Sequence, residues 1–393
     1  MEWREYYDRG WQLIRENKYD EAIEVFSTYL EENPDDSSFL ESRASAWSWK
    51  GNREAVIADY TRMIAVKPEF PDGWNGRGNQ YHEMGEYDRA IADYTEAIAR
   101  MPQHPSYWSN RGISYYEKGE IDKALEDLNK ALDIDSEHSW ALMHRGRLWK
   151  RTGNMDAAIA DFTRALIYAP EDYWTLNQRG YCWFTKGEFD KAIANYSAAI
   201  AVKPDDADLW LDRGVCHWNK KSEEETDLAA DDFTQAIELD PDNAYAYFCR
   251  GCTGNAKAQE QINTIKAIIM GRAKDEAERL MMMAQLERIQ GYNKLIPFFN
   301  GILVNLRSDL TEMEDLMLKG ANMLAPEFLK EAVEDFTRAI ALDPDNAEAF
   351  YERGRCYALA GDAGKAAADY EQTLALNPSH PKAAEKRNEL KEQ

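Results

Sequence analysis

The sequence predicts an all-α solenoid, in which antiparallel helix pairs stack one on another along the chain. A pattern of small, aromatic and proline residues recurs every 34 residues over most of the 393-residue chain. The composition is 44% hydrophobic and 12% aromatic, which supplies enough apolar surface for a folded core. Because one such helix pair cannot bury its apolar faces alone, the repeated units must stack on their neighbours.

The repeating unit is clearest between residues 71 and 104. Gly78 and Ala90 lack bulk at the place where its two helices would touch. Aromatic side chains fill the space around that contact: Trp74, Tyr81 and Tyr94. Gly85 falls between the helices, where a turn can need positive φ, and Pro102 ends the second helix. The unit is therefore predicted to be a helix–turn–helix pair.

Seven such units follow one another from the N-terminus. They begin at Trp3, Ser37, Pro71, Pro105, Ser139, Tyr173 and Ala207. Their eighth places all hold small residues: Gly10, Ala44, Gly78, Gly112, Gly146, Gly180 and Gly214. The seventh unit is three residues longer near its interhelix turn, within 222–227. Two further units are predicted at 313–346 and 347–380.

The spacing W-x3-G-x2-Y followed by A-x3-Y-x2-A-x4-P resembles that of the tetratricopeptide repeat (TPR) family. The resemblance covers over three quarters of the chain. It implies a right-handed superhelical solenoid whose first helices line the concave face and whose second helices line the convex face. By the same resemblance, eleven units would exceed one superhelical turn and enclose a groove.

The predicted division of the chain has four parts. Residues 1–243 hold the seven N-terminal units. Residues 244–312 form a divergent helical insertion or two degenerate helix pairs, because the pattern dissolves after Gly251. Residues 313–380 hold two C-terminal units, and residues 381–393 form a polar capping helix that would cover the last apolar face.

Charge and cysteine content restrict the partners and the compartment. The formal net charge is −24, from 71 acidic and 47 basic residues, which argues against nucleic acid or an anionic membrane as the main partner. No apolar run reaches membrane-spanning length, and the charged N-terminus has no apolar stretch typical of a secretory signal. Five cysteines without disulfide-framework spacing fit a reducing cytosol. We expect a soluble, cytoplasmic protein.

Two columns of opposite charge run through the repeats. Arginine precedes the small residue of the first helix in nine units: Arg9, Arg43, Arg77, Arg111, Arg145, Arg179, Arg213, Arg250 and Arg353. An acid or amide precedes the aromatic residue of the second helix: Asp59, Asp93, Asp127, Asp161, Asn195, Asp232, Asp335 and Asp369. We interpret the columns as an Arg–Asp ladder between helices rather than as an anion-binding stripe, because the two columns track each other.

Signals for catalysis and for metal binding are weak. The chain lacks the H-E-x-x-H, G-x-S-x-G and Walker A motifs, and no carboxylate pair stands out. Cys249-x-x-Cys252 could be imagined as a zinc or redox site together with Cys182, Cys216 and His217. However, Cys182 and Cys216 share one place in the repeat where a small packing residue suits. No catalytic residue, metal or cofactor is predicted.

The candidate peptide-binding groove comes from the resemblance, since ligand contacts in this family arise mainly from the first helices. The amide-rich part of this groove would suit a peptide backbone: Asn75, Asn79, His82, Asn110 and Tyr116. The next part holds the densest positive cluster and would attract acidic groups: Trp140, Arg147, Lys150 and Arg151. The last part would hold an apolar anchor: Trp174, Asn177, Tyr181, Phe184, Trp218, Tyr245 and Phe248.

The predicted function is that of a non-enzymatic scaffold or adaptor that binds a peptide or protein segment in the concave groove. One alternative is a self-associating structural protein, a possible homo-oligomer that uses residues 256–309 as its interface. The same segment could instead fill the groove from within the chain. A metal-binding or enzymatic accessory is a further alternative. The carboxylate clamp of chaperone-binding relatives is not predicted, because only Asn79 and Asn110 match it.

Overall fold

The computed structural model describes residues 2–269 and 326–391, which contain nineteen α-helices and no strand. The first helices of the successive pairs are α1 Trp3–Arg15, α3 Ser37–Lys50, α5 Pro71–Glu83, α7 Pro105–Glu117, α9 Ser139–Arg151, α11 Tyr173–Thr185, α13 Ala207–Lys220, α15 Ala244–Ile269 and α17 Ala347–Leu359. The second helices are α2 Tyr19–Glu32, α4 Arg53–Val66, α6 Tyr87–Arg100, α8 Ile121–Ile134, α10 Met155–Tyr168, α12 Phe189–Val202, α14 Glu223–Leu239, α16 Pro326–Leu342 and α18 Ala363–Leu376. Helix α19, Ala383–Lys391, follows them.

The helices divide between two compact units, Met1–Lys186 and Gly187–Gln393. The first unit contains α1 to α11 and the second contains α12 to α19. Within each unit, consecutive helices pack on one another in chain order. The core of each unit is a row of small apolar clusters between adjacent helices, as expected when every repeat contacts only its neighbours.

The first seven predicted starts are confirmed, because each first helix begins at the predicted residue. The reason for the small eighth residue is also clear in α5. A Cβ atom added at Gly78 would lie 2.8 Å from Cε1 of Tyr94, a side chain that is almost fully buried. Gly85 has φ of 75° and forms the turn after α5, where any other residue would be strained. Small size and turn geometry therefore account for two of the most regular positions of the repeat.

The Arg–Asp ladder is confirmed in seven helix pairs, where the arginine of the first helix binds the aspartate of the second helix with two hydrogen bonds. Nε and Nη2 of Arg77 each lie 2.8 Å from a carboxylate oxygen of Asp93. The other six pairs repeat this geometry: Arg43–Asp59, Arg111–Asp127, Arg145–Asp161, Arg213–Asp232, Arg250–Asp335 and Arg353–Asp369. Because these aspartates are buried, the bidentate pairing offsets much of the cost of desolvating the charge.

The same arginines also join neighbouring repeats. Nη1 of Arg77 donates to the Thr61 hydroxyl of the preceding second helix at 3.2 Å. Equivalent oxygens accept from the other six ladder arginines: Ser27, Thr95, Asn129, Ser197, Thr234 and Thr337. Arg179, whose repeat has Asn195 in the aspartate column, donates to Thr163 in the same way. One guanidinium group therefore joins three helices, which sets the register both inside a repeat and between repeats.

Helix α15 pairs with a helix that is distant in sequence. Arg250 binds Asp335, and a Cβ atom added at Gly251 would lie 2.9 Å from Cε1 of Phe336. These are the same two contacts that join α5 to α6, so α15 and α16 form one repeat interrupted by the residues between them. The unit predicted from the sequence at 313–346 instead joined Pro326–Leu342 to residues 313–325. Those thirteen residues lie outside the described part of the chain, as does the larger part of the predicted insertion at 244–312.

The C-terminal helix α19 packs against the last repeat. Ala383 is buried beside Tyr351 and Tyr370. His380 precedes the helix, and its Nδ1 accepts the backbone N–H of Ala383 at 3.1 Å, while its Nε2 lies 3.1 Å from Glu348. The helix start therefore has a side-chain acceptor. Its predicted role as a cap for the solenoid stays a prediction.

Candidate functional site

The predicted groove residues are distributed over both compact units. Trp218, Tyr245 and Phe248 belong to the second unit, and the others belong to the first unit. The predicted amides Asn75, Asn79 and Asn110 contact one another on α5 and α7, and Trp140 of α9 lines a pocket with two of them. This region of the first unit is therefore the candidate site.

Three asparagines form a connected amide cluster on α5 and α7. Nδ2 of Asn110 donates to Oδ1 of Asn75 at 3.0 Å and to Oδ1 of Asn79 at 3.3 Å. The buried Tyr94 hydroxyl also donates to Oδ1 of Asn79, at 2.8 Å, so this oxygen accepts two hydrogen bonds. Within the described part of the chain, Nδ2 of Asn75, Nδ2 of Asn79 and Oδ1 of Asn110 have no recorded hydrogen bond. The half-buried cluster therefore offers two amide donors and one acceptor.

His82 lies beside this cluster and contacts Ser114. The Ser114 hydroxyl donates its one hydrogen to the backbone carbonyl of Asn110 at 3.1 Å. Nδ1 of His82 lies 2.9 Å from the same hydroxyl oxygen, and we assign the ring proton to Nδ1 so that both contacts are satisfied. Burial lowers the pKa of His82, although Glu117 and Glu83 act in the opposite direction. Neutral His82 therefore has Nε2 as a hydrogen-bond acceptor.

A pocket of about 270 Å³ opens between these helices. Its lining contains both amide and aromatic side chains: Asn79, His82, Glu83, Tyr94, Asn110, Ile113 and Trp140. The Trp140 side chain is 49% exposed, so much of its indole ring is available to a ligand. Glu83 is also exposed, and its carboxylate lies 3.7 Å from Nε of Arg53, a long distance for an ion pair. The pocket thus combines amides, an imidazole, a carboxylate and an indole.

The pocket has a neutral imidazole behind Trp140. The ring of His144 meets that of Trp140 edge-to-face, with centroids 4.5 Å apart. Burial, together with the nearby Arg147 and His82, lowers the pKa of His144 to about 3. At neutral pH, His144 adds no positive charge to this wall.

The predicted positive cluster is engaged within the protein. Arg147 donates to Glu117 at 3.1 Å, and its guanidinium carbon lies 4.7 Å from the Tyr116 ring centre. Arg151 contacts the same ring at 4.9 Å. Lys150 lies 4.8 Å from the Tyr181 ring centre and binds Gln178. These contacts favour a structural role, in which two guanidinium groups hold the buried Tyr116.

The aromatic part of the predicted groove is only partly exposed. In the first unit, Tyr181 is 44% exposed, whereas Trp174 and Phe184 are half-buried. Trp174 packs edge-to-face on the buried Phe162, with ring centroids 6.3 Å apart. Asn177 is half-buried on the same helix. The expected apolar anchor site is therefore smaller than the sequence indicated, because Trp174 contributes to the core.

The second unit shows the same division between exposed and packed aromatic residues. Tyr245 is 52% exposed and stacks on Phe248, with ring centroids 6.2 Å apart. Phe248 packs in turn on the buried Phe336 of α16. Trp218 is half-buried against the core cluster of α13 and α14. Phe248 and Trp218 therefore serve packing as well as the surface.

The cysteines have the properties of packing residues. Cys182, Cys216, Cys249 and Cys356 are buried. Burial raises the thiol pKa of Cys182 to about 11 and that of Cys249 to about 12, so both stay protonated at neutral pH. A protonated thiol is a poor nucleophile and a poor metal ligand. In the described ranges, no group of three or more potential metal ligands comes together.

Sequence reasoning missed several residues of the pocket. Tyr94 was assigned to the core alone, yet its hydroxyl orients Asn79. Glu83 directly follows His82, a predicted groove residue, on the first helix of its repeat, so a signal for it was present. Ser114 had no such signal, because its role depends on a contact between two repeats.

Comparisons with known proteins agree with the fold. Sequence models described as "TPR repeat" match residues 78–119 and 183–221. Models described as "Tetratricopeptide repeat" match residues 105–138, 7–60 and 327–381. Together these matches cover more than half of the chain. A comparison with curated proteins found no match.

Several solved structures are similar to this chain at low sequence identity. The C-terminal part of a TPR repeat-containing protein from Cytophaga hutchinsonii is 18% identical, with a TM-score of 0.52, over 79% of this chain and 97% of that chain. A tetratricopeptide repeat protein from Parabacteroides merdae is 20% identical, with a TM-score of 0.47, over 64% and 98%. YrrB, a TPR protein with an unusual peptide-binding site, is 23% identical, with a TM-score of 0.42, over 48% and 95%. The predicted all-α solenoid is confirmed. In the described residues, no helix is long and apolar enough to cross a membrane.

Proposed function

Because the chain belongs to the tetratricopeptide repeat family, we propose that it is a non-enzymatic scaffold or adaptor that binds an extended segment of a partner protein. The amide cluster on α5 and α7 carries this proposal. A peptide backbone presents N–H donors and C=O acceptors in alternation, and the cluster offers groups that match both. Solenoids of this kind commonly use a surface built from successive repeats to bind a partner.

Pre-organisation supports the same proposal. Asn110 contacts Asn75 and Asn79 through its amide, and Tyr94 holds Asn79 from the buried side. The side chains are therefore fixed before a ligand arrives, which lowers the entropy cost of binding. Trp140 at the pocket offers apolar contact next to these polar groups. Polar groups that orient a ligand beside an aromatic surface are typical of peptide-binding sites.

The test is an array of random twelve-residue peptides probed with the full chain and with Asn75→Ala. Asn75 makes one hydrogen bond in the cluster, so its truncation should leave the fold intact. We expect the selected peptides to bind the variant about two- to tenfold more weakly, which corresponds to one hydrogen bond of roughly 0.5–1.5 kcal/mol.

The matched control is Asn388→Ala, which truncates an exposed asparagine on α19 in the other compact unit. This variant should bind the selected peptides like the wild type, and circular dichroism should show equal helicity for all three proteins. If every selected peptide binds Asn75→Ala and the wild type equally, or if the array yields no binder, the proposal is wrong.

A further inference from the structure

Acceptor atoms outnumber donors in the pocket between α5, α7 and α9. Nε2 of the neutral His82, the carboxylate of Glu83 and Oδ1 of Asn110 can all accept hydrogen bonds. The amide group of Asn79 is the main donor among the lining side chains. A ligand group that fills this pocket must therefore bring several donors.

The local charge points in the same direction. Glu83 and Glu117 both lie close enough to His82 to oppose the lowering of its pKa. Each of these carboxylates has an arginine near it: Nε of Arg53 lies 3.7 Å from Glu83, and Nη1 of Arg147 lies 3.1 Å from Glu117. His82 and His144 are neutral because burial lowers the pKa of each. Among the residues that line the pocket, Glu83 carries the formal charge, and its ion pair with Arg53 is long and solvent-exposed, so the lining itself is negative.

The exposed indole of Trp140 completes the arrangement. Its ring lines the same pocket as Glu83, and tryptophan is the aromatic side chain that attracts cations most strongly. An ammonium group has three donors and a guanidinium group has five, and neither has an acceptor. These two groups match a wall of acceptors and an indole face better than a carboxylate or an amide does.

We propose that this pocket binds the side chain of a lysine or arginine residue in the partner peptide. The inference rests on the proposed function, because it names the residue class that the peptide contributes to this site. Glu83 would neutralise the cationic group, Trp140 would lie against it, and the asparagine cluster would bind the adjoining backbone. A glutamate or aspartate side chain would meet Glu83 and the Nε2 lone pair of His82, which repel it.

The test uses four small probes, the Nα-acetyl methylamides of lysine, arginine, norleucine and glutamate, with the full chain at low salt. The signal is the indole N–H resonance of Trp140, which is identified by its absence from the spectrum of Trp140→Phe. We expect the lysine and arginine probes to shift this resonance with apparent affinities at least fivefold above those of the norleucine and glutamate probes. Norleucine matches lysine in its aliphatic chain, so the difference reports the charge.

Two variants locate the contact. Glu83→Gln should weaken the lysine probe about three- to tenfold, whereas Glu69→Gln, at an exposed loop position, should leave it unchanged. The inference is wrong if norleucine equals lysine, if Glu83→Gln has no effect, or if none of the probes shifts the resonance.

The peptide array separates this inference from the proposed function. Peptides that depend on Asn75 but carry no lysine or arginine would leave the function standing and overturn the inference. If the lysine probe shifts the Trp140 resonance but the array yields no Asn75-dependent binder, the proposed function is overturned and the cation-binding pocket stands.

Discussion

Substituting Arg77 by methionine tests the Arg–Asp ladder directly. Methionine keeps an apolar stem, but it removes the guanidinium group, whose carbon lies 5.3 Å from the Trp74 ring centre and 5.9 Å from that of Tyr81. Asp93 then loses both of its hydrogen bonds from Arg77, which are 2.8 Å long. The Asp93 carboxylate is left buried, with 7% of its side chain exposed.

The expected cost follows from this geometry. Removing one partner of a buried ion pair costs about 3–5 kcal/mol, because the remaining charge is neither solvated nor paired. The hydrogen bond from Nη1 to Thr61 disappears as well, and its loss weakens the junction with the preceding repeat. We therefore expect local opening of α5 and α6 to become about two to three and a half orders of magnitude more frequent.

Hydrogen exchange measured by mass spectrometry is the appropriate assay, because repeats open locally and a single unfolding transition would mix both compact units. Faster exchange should be confined to peptides from α4 to α7. The control is Arg62→Met, which breaks an ion pair with Asp35 whose side chains are 52% and 57% exposed. This exposed pair should contribute at most about 1 kcal/mol.

The double variant Arg77→Met with Asp93→Leu distinguishes a buried charge from lost packing. It replaces both partners by apolar groups, so most of the stability should return. A cost below about 1 kcal/mol for Arg77→Met, or a double variant as unstable as the single one, would refute the reasoning.

Three further predictions concern other repeats and the chain end. Gly78→Ala places a methyl group 2.8 Å from Tyr94 and should cost about 1–3 kcal/mol in urea denaturation, whereas Gly85→Ala, with open space but φ of 75°, should cost about 1–2 kcal/mol. Below pH 6.5 the unfolded chain binds a proton at residue 144 before the folded chain does, since burial lowers the folded pKa to about 3. As the pH falls below 6.5, the free energy of unfolding should therefore decrease by up to about 1.4 kcal/mol per pH unit. His144→Gln should make this decrease smaller in thermal denaturation. His380→Leu should remove the acceptor for the Ala383 N–H and speed exchange in α19 by an amount equivalent to about 1 kcal/mol, and His380→Asn should largely restore protection.

The parts of the fold that repeat were predictable from the sequence. Each helix start of the first seven pairs depends on local signals that recur every 34 residues, so a weak signal in one repeat is reinforced by the others. The Arg–Asp ladder was visible for the same reason, since both columns follow that period. The direction of the pairing was left open, and the structure places the aspartate in the same repeat as its arginine.

The contacts across repeats were harder to predict. The side-chain oxygen that accepts from Nη1 of each ladder arginine lies sixteen residues before it, in a place that holds Thr, Ser or Asn. The column tolerates all three because any side-chain oxygen there can accept, and so its residue identity is not constant. His82 and Ser114 are likewise 32 residues apart, on adjacent first helices. The repeat pattern gives the residue type at each place, but it does not show which side chains of neighbouring repeats are in contact.

The repeat formed by α15 and α16 shows why the sequence did not predict that these two helices pair. A sequence search for a second helix looks shortly after the first, as in α5 and α6, where three residues intervene. The interface itself does not require that spacing. Arg250 forms its ion pair with Asp335, and Gly251 leaves room for the ring of Phe336.

The energetics favour this arrangement. The entropy cost of closing a loop grows only with the logarithm of its length, so a long excursion between two helices costs little more than a short one. The two buried hydrogen bonds and the ring contact are gained in full however far apart the helices lie in sequence. A repeat is therefore defined by its helix interface, and the chain can leave between the two helices without interrupting the stack from α14 through α15 and α16 to α17.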